Sequence, residues 1–247
     1  MKVAFFTIAS DSHYYGCGTP VLINSFKRYH PDIDLIVFRQ DMIDKVFKEK
    51  NINFYTAKPT FAKLLIDKYD LVVNIDADTI ILDRLEKILQ GDYDVACPSN
   101  KNDYENMSID NVREDMFLQA GLVASTNKRF WDIWEEANKD AMKYVAQENT
   151  VMNLIWYNNS EVQKMNKIIL DKDKDYWGCK SLNREGEFYI SDNKVMCRGE
   201  QVFVYHHAKG ANAMPKLQFQ YMGFRQEVVE YLIKIGHEGI SVCVSHI

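Results

Sequence analysis

The segment YDLVVNIDADTIIL, residues 69–82, restricts the fold more than any other part of the chain. Four of the five residues at 71–75 are apolar, and a second apolar run follows at 80–82. Runs this short and this continuous suit strands inside a core rather than helices. Between them stand two carboxylates one residue apart, Asp76 and Asp78. A buried charge is costly unless it is paired or coordinated. A solvated turn with two capping acids is the plain alternative. The apolar flanks argue instead for acids at a strand end within the core.

The rest of the chain supports an α/β reading. With 247 residues there is ample material for one large α/β domain with a sizeable core. Apolar residues make up 47% and charged residues 26%, as in an ordinary globular protein, and the net charge of −5 argues against a broad nucleic-acid-binding surface. The five cysteines are odd in number and lack metal-ligand spacing, which points to a reduced, cytoplasmic protein. The opening MKVAFFTIAS is short, has no signal-peptide cleavage pattern and reads as a first strand. No segment approaches the ~20 continuous apolar residues of a membrane span.

Strand and helix signals alternate along the chain. Strands are expected at 3–8, 34–38, 52–57 and 71–75, with helices at 20–30, 41–51 and 61–68 between them. A helix ended by Gly91, a strand at 92–99 and another at 115–126 follow. NKRFWDIWEEANKDAMKYV, 127–145, predicts a helix capped by Asn127, with Phe130, Ile133, Trp134, Ala137 and Ala141 on one face. EFYISDNKVMC predicts a hairpin turning at 191–194, and EQVFVYHHAKG a strand entering a glycine loop. A last helix presents Val228, Val229, Leu232 and Ile233. Such alternation implies a mostly parallel central sheet with helices on both faces and a small antiparallel hairpin region. No repeat or linker divides the chain, so a single domain is expected.

In an open parallel sheet, ligands bind beyond the carboxyl ends of the strands, where Asp76 and Asp78 fall. Two carboxylates one residue apart suit a divalent cation: magnesium with waters and phosphates, or manganese, which also accepts imidazole. In VYHHAKG, strand alternation puts His206 and His207 on opposite faces, so either is a possible third ligand. In the loop after the first strand, Asp11 can bond a pyrimidine edge and Tyr14 can stack on the ring, although an N-capping acid and a core tyrosine are the plain alternatives.

Taken in order, these motifs resemble GT-A type glycosyltransferases, especially the family 8-like branch. VVNIDADTIIL resembles the D-x-D signature, and FFTIASDSHYYGCGTPVLINSFKRYHP the first strand, nucleotide loop and first helix. FAKLL carries Lys63 where the family usually has arginine. MFLQAGLVAS resembles F-N-A-G-V, with Gln119 for asparagine. QENTVMN resembles D-Q-x-x-L-N, with Asn149 for glutamine. HHAKGANAMPK resembles the late H-x-x-G-x-x-K-P-W loop without its tryptophan. The resemblance covers residues 1–216 and implies a GT-A (Rossmann-like) fold. It implies a nucleotide-binding half at about 1–100, an acceptor and metal half at about 101–216, and a helical extension over 217–247.

The same resemblance implies a metal-dependent hexosyltransferase using a UDP-sugar donor, with Mn2+ or Mg2+. Asp76, Asp78 and His207 would hold the metal, with His206 as second choice. Asp76 would also accept from the ribose hydroxyls. Thr7, Ala9, Asp11, Tyr14, Lys63 and Ala77 would contact the nucleotide or its sugar, and Lys209, Gly210 and Lys216 the diphosphate. By matched position, Asp115, Gln119, Glu148 and Asn149 would handle the sugar and acceptor hydroxyl. A glycan, lipid-linked sugar or protein are the acceptors to consider, and stereochemistry stays open. Trp177 suits an acceptor platform or the core.

Two other classes share parts of this pattern. Phosphatases of the haloacid-dehalogenase type also place D-x-D after an apolar strand, but here the acids come late and a matching later lysine and acid pair is missing. A non-catalytic nucleotide-sugar-binding module would keep the fold without the turnover.

Overall fold

Five consecutive buried residues form β3 (Leu71–Ile75), as its apolar run predicts. The computed structural model describes residues 1–11, 18–50, 52, 56–99, 117–139, 147–170, 177–179, 185–206 and 224–236. β3 lies parallel to β1 (Val3–Ile8), with Val3 opposite Leu71 and Phe6 opposite Asn74. Its other edge pairs antiparallel with β6 (Leu122–Ser125), which is also antiparallel to β5 (Val95–Cys97). β5 in turn is parallel to β7 (Lys167–Ile169). With β2 (Asp34–Phe38), these make a six-stranded sheet of order β2-β1-β3-β6-β5-β7. β1, β3, β5 and β7 share one direction and β6 opposes them. The sheet is mostly parallel, and the chain is of the mixed α/β class.

The chain divides into two compact units: Met1–Phe6 with Asp41–Ile75 and Glu86–Lys172, and Thr7–Gln40 with Asp76–Leu85 and Asp173–Ile247. The helices are α1 (Gly18–Tyr29), α2 (Gln40–Lys50), α3 (Lys58–Lys63), α4 (Glu86–Leu89), α5 (Lys128–Ala137), α6 (Gln147–Asn158) and α7 (Gln226–Gly236).

In the first unit, α3 and α5 pack together. Pro59 fits the first turn of α3, where a missing N–H costs nothing, so this helix starts earlier than the expected 61–68 and gives way to a turn after Lys63. Asn127 caps α5 by accepting the Arg129 N–H at 2.9 Å. Its buried face is Phe130, Trp131, Ile133 and Trp134, with the two indoles stacked at 5.7 Å. α5 is shorter than the expected 127–145: Asn138 closes it and donates its amide to Thr56 O at 3.1 Å. Among the described residues 117–126 of the strand expected over 115–126, the strand runs from Leu122, because residues 120–121 turn and Gly121 weakens any extended run there. Cys97 is buried. The strand expected at 52–57 falls largely outside the described residues.

In the second unit, β4 (Thr79–Ile81), β12 (Val204–His206) and β8 (Trp177–Cys179) form a sheet with β12 in the middle. A second sheet joins β9 (Phe188–Ser191), β10 (Lys194–Cys197) and β11 (Glu200–Gln201). The expected hairpin turn lies between Ser191 and Lys194, where Asp192 and Asn193 take φ of 50° and 58°, as a tight two-residue turn demands. Val21, Ile80, Leu82, Phe188, Val195, Val202 and Tyr205 share a core with Val228, Leu232 and Ile235 of α7. The buried face of α7 therefore uses Ile235, while Ile233 is exposed. Gly236 sits where a Cβ would come within 2.8 Å of Ile80 and Val21 side-chain carbons, so glycine lets α7 end close against them. No helix among the described residues is long and apolar enough to cross a membrane.

Candidate metal and donor site

The acids fall where β3 ends and β4 begins. The Thr79 hydroxyl donates to the Asp76 carbonyl at 2.7 Å and closes a tight turn that carries both carboxylates. β4 then pairs antiparallel with β12, with Thr79 opposite His206. This register brings the imidazole to the acids across more than a hundred residues of sequence. His206 Nε2 lies 3.0 Å from Asp78 Oδ1 and 3.5 Å from Asp76 Oδ2. One ligand atom from each of Asp76, Asp78 and His206 lies within 4.8 Å of the others.

The frame beneath this cluster is braced by strand pairing, ring packing and hydrogen bonds. β12 is held on both edges, by β4 and by β8. Tyr205 packs edge-on against Phe188 and Phe224, at 5.8 and 5.2 Å. β4 is tied to α1, because Ser25 Oγ accepts the Ile81 N–H at 3.0 Å while donating to the Val21 carbonyl at 2.8 Å. The Leu82 N–H donates to the Phe203 carbonyl at 2.9 Å. Just beyond, the Leu85 N–H donates to His30 Nε2 at 3.0 Å. Burial, and then the neighbouring Arg84 guanidinium, lower the His30 pKa to about 4, so the ring stays neutral and accepts that bond.

A divalent cation fits these donors. Bonds of about 2.1 Å place neighbouring octahedral ligands about 3 Å apart, close to the spacings of His206 to the two acids. Two carboxylates and an imidazole are a hard oxygen and borderline nitrogen set, which suits Mn2+. The side chains are mostly enclosed, with relative exposures of 22% for Asp76, 16% for Asp78 and 11% for His206. His206 Nε2 and Asp78 Oδ1 are within hydrogen-bond distance of each other, and the three groups together offer a divalent cation one ligand atom each.

The other expected donor contacts are spread over both units. Thr7 and Ala9 are fully buried, the Ala9 N–H donating to Phe38 O at 2.9 Å. The Thr7 hydroxyl has no hydrogen-bond partner. Asp11 is exposed, with its N–H 3.4 Å from Gln40 Oε1, and Ala77 is buried. Tyr14, Asp115, His207, Lys209, Gly210 and Lys216 lie outside the described residues, as does the side chain of Trp177.

In the first unit, Gln119, Glu148 and Asn149 converge on one short turn. The Gln119 N–H donates to the Pro98 carbonyl at 3.0 Å, and its side chain is buried. Asn149 Oδ1 accepts the Ala120 N–H at 2.9 Å. Asn153, one helical turn further along α6, accepts the Leu118 N–H at 2.8 Å and donates to the Leu118 carbonyl at 3.0 Å. The spacing is natural: four residues of helix advance about 6 Å, close to the rise of about 6.6 Å for two extended residues. Glu148 meets Lys58 Nζ at 2.9 Å, and the same ammonium group donates to the Ala120 carbonyl at 3.1 Å. Asn74 reaches that carbonyl too, at 3.3 Å. Lys63 goes elsewhere, with its Nζ at 2.7 Å from both Asp132 and Glu135 of α5. Those hydrogen bonds, to Asp132 first, raise the Lys63 pKa.

Lys58 lies in no motif that the sequence reading singles out, whereas Asn74 and Asn153 lie within VVNIDADTIIL and QENTVMN but are given no role there. The available signals were a lysine inside the apolar run AKPTFA and two asparagines four residues apart on one helix.

No family model matches the chain, and no curated protein matches it in sequence. Solved structures do match it. The bifunctional glycosyltransferase WbbM, in its apo form, aligns with TM-score 0.61 at 15% identity over 94% of this chain; the chain spans about half (49%) of that protein. The galactosyltransferase LgtC, solved with donor and acceptor sugar analogues, aligns with TM-score 0.53 at 16% identity over 95% of both chains. A glycosyltransferase involved in glycosylation of the major capsid of PBCV-1 aligns with TM-score 0.55 at 6% identity, over 85% of this chain and 94% of that one. The chain has the GT-A fold, as the resemblance of its D-x-D and neighbouring motifs implies.

Proposed function

We propose that the protein is a metal-dependent glycosyltransferase that moves a sugar, a hexose, from a UDP-sugar to an acceptor hydroxyl. The observation that carries this reading is the Asp76, Asp78 and His206 cluster at the end of a buried parallel strand in a GT-A fold. The likeness to glycosyltransferase structures supports the same reading. Neither the phosphatase nor the non-catalytic alternative gains support.

Asp78, Asp76 and His206 would hold Mn2+ or Mg2+, with His207 as the alternative to His206. A cation bound there would neutralise charge on the departing diphosphate and orient the donor. The chain's own residues do the rest. Thr7, Ala9, Asp11 and Tyr14 bind the uracil end, and Asp76 and Ala77 the ribose. Lys209, Gly210 and Lys216 bind the diphosphate, the lysines as mobile point charges. Gln119, Glu148, Asn149 and Asp115 orient the sugar and the acceptor hydroxyl, whether that belongs to a glycan, a lipid-linked sugar or a protein.

Calorimetry with UDP and GDP, each with and without Mn2+, tests the donor assignment. UDP should bind more tightly than GDP, and only with the metal. Tighter GDP binding would overturn the uridine assignment, and metal-independent UDP binding would overturn the role of the cluster.

A further inference from the structure

We propose that Lys58 is the positioning residue for the proposed sugar-handling groups, locking the Glu148 carboxylate and the Ala120 carbonyl into one arrangement; this rests on the glycosyltransferase reading above. The position matched to the family's arginine is Lys63, but Lys63 is held by Asp132 and Glu135, and Thr60 also donates to Glu135 at 2.6 Å. Its side chain is a third exposed. The Lys58 side chain is only 8% exposed, and its ammonium group bridges Glu148 Oε1 and Ala120 O.

Burying an ammonium group costs several kcal/mol, and an apolar pair of similar volume is often as stable as a buried ion pair. Stability alone is therefore a weak reason for a lysine here. Its placement suits orientation. Lys58 opens α3, the adjacent Pro59 restricts the backbone, and Phe61 and Ala62 are fully buried, so the stem starts from a fixed point. The turn it grips is held on every side: Ala120 N–H by Asn149, Gln119 N–H by Pro98, and Leu118 by Asn153. Glu148 and Gln119 thereby share one frame, and Lys58 is the charge that joins the first turn of α6 to residues 119–120. Lys58 acts through Glu148 and does not itself touch the sugar.

The test compares wild type with Lys58→Met, Lys58→Gln, Lys58→Arg and Lys63→Met, using the nucleotide sugar that the wild type turns over. For each, kcat and KM for UDP release are measured, together with UDP affinity in Mn2+. Lys58→Met and Lys58→Gln should lower kcat about 100-fold, the scale of a misplaced reacting group, with UDP affinity unchanged. Lys58→Arg should recover most of the loss, and Lys63→Met should lose less than Lys58→Met. If Lys58→Met does not fold, Lys58→Gln, which keeps a donor for Ala120 O, carries the test. A kcat near wild type in either neutral variant, or a larger loss in Lys63→Met, overturns the inference alone. A wild type that turns over no nucleotide sugar overturns the glycosyltransferase reading, and the role of Lys58 falls with it.

Discussion

Asn153 is fully buried and its carboxamide acts as a one-residue strand neighbour for Leu118, accepting the N–H at 2.8 Å and donating to the carbonyl at 3.0 Å. A third bond runs to the Asn149 carbonyl at 2.8 Å. Leu118 is buried, and the peptide on its far side is taken up by the bridge to Ser99. Asn153→Ala would leave the Leu118 N–H and carbonyl buried and unpaired. Each such group costs about 1–3 kcal/mol, so the sum is about 2–6 kcal/mol, with water entry favouring the lower half. Against a total stability of about 5–15 kcal/mol, that is a large fraction. In a chain of this size it corresponds to a fall in Tm of roughly 5–15 °C. Urea unfolding and a thermal melt, both monitored by circular dichroism, give the loss. UDP affinity in Mn2+ should stay at the wild-type level, because the metal cluster is built from the other unit. A loss below about 0.5 kcal/mol would show that the carboxamide does not supply those bonds in solution, and the account of how residues 118–120 are held would fail.

Asp78→Asn keeps the side chain's shape but removes one negative charge beside Asp76; it should abolish Mn2+-dependent UDP binding while the metal-free protein melts no lower than wild type, and a retained metal response would refute the ligand role. His206→Ala should act in the same direction on catalysis, read from UDP release, and an unchanged rate would move the third ligand to His207. His30 should make the fold acid-sensitive. Its pKa is 6.5 in the unfolded chain and about 4 in the folded one, so between those values the unfolded state holds the extra proton and stability falls as pH falls. The slope is at most about 1.4 kcal/mol per pH unit, amounting to roughly 2–3 kcal/mol between pH 7 and pH 4.5, and urea unfolding at those two pH values should show it. Because carboxylates also titrate in this range, His30→Gln is the control: an equal acid loss in that variant would refute the assignment.

What the sequence revealed of the fold was local. The run 71–75 announced a strand buried on both faces, and the Asp192–Asn193 turn announced its hairpin, because each signal lies within a few neighbouring residues. The D-x-D pair was legible for the same reason. The partner imidazole was legible as one of two, with His207 preferred by matched position, whereas the register of β12 against β4 puts His206 beside the acids. The clamp on residues 118–120 was not legible. It is made of side chains that reach backbone groups 29 to 62 residues away, and such bonds leave no periodicity in the sequence. The length of α5 was overestimated because the amphipathic pattern continues past Asn138, where a tertiary bond to Thr56 helps to close the helix. Lys63, which the resemblance places at the family's arginine, is engaged by two acids of α5, and a lysine five positions earlier meets Glu148.

The most direct measurement of the central claim is nucleotide release from a panel of nucleotide sugars, each incubated with the protein in Mn2+ and in excess chelator. Slow hydrolysis reports the donor even when the acceptor is unknown. One or more UDP-hexoses should release UDP in Mn2+, release should stop in chelator, and restored Mn2+ should recover it for the wild type but not for Asp78→Asn. Release that persists at full rate in chelator, or in Asp78→Asn, would contradict the account and return Asp76 and Asp78 to the status of a capped turn.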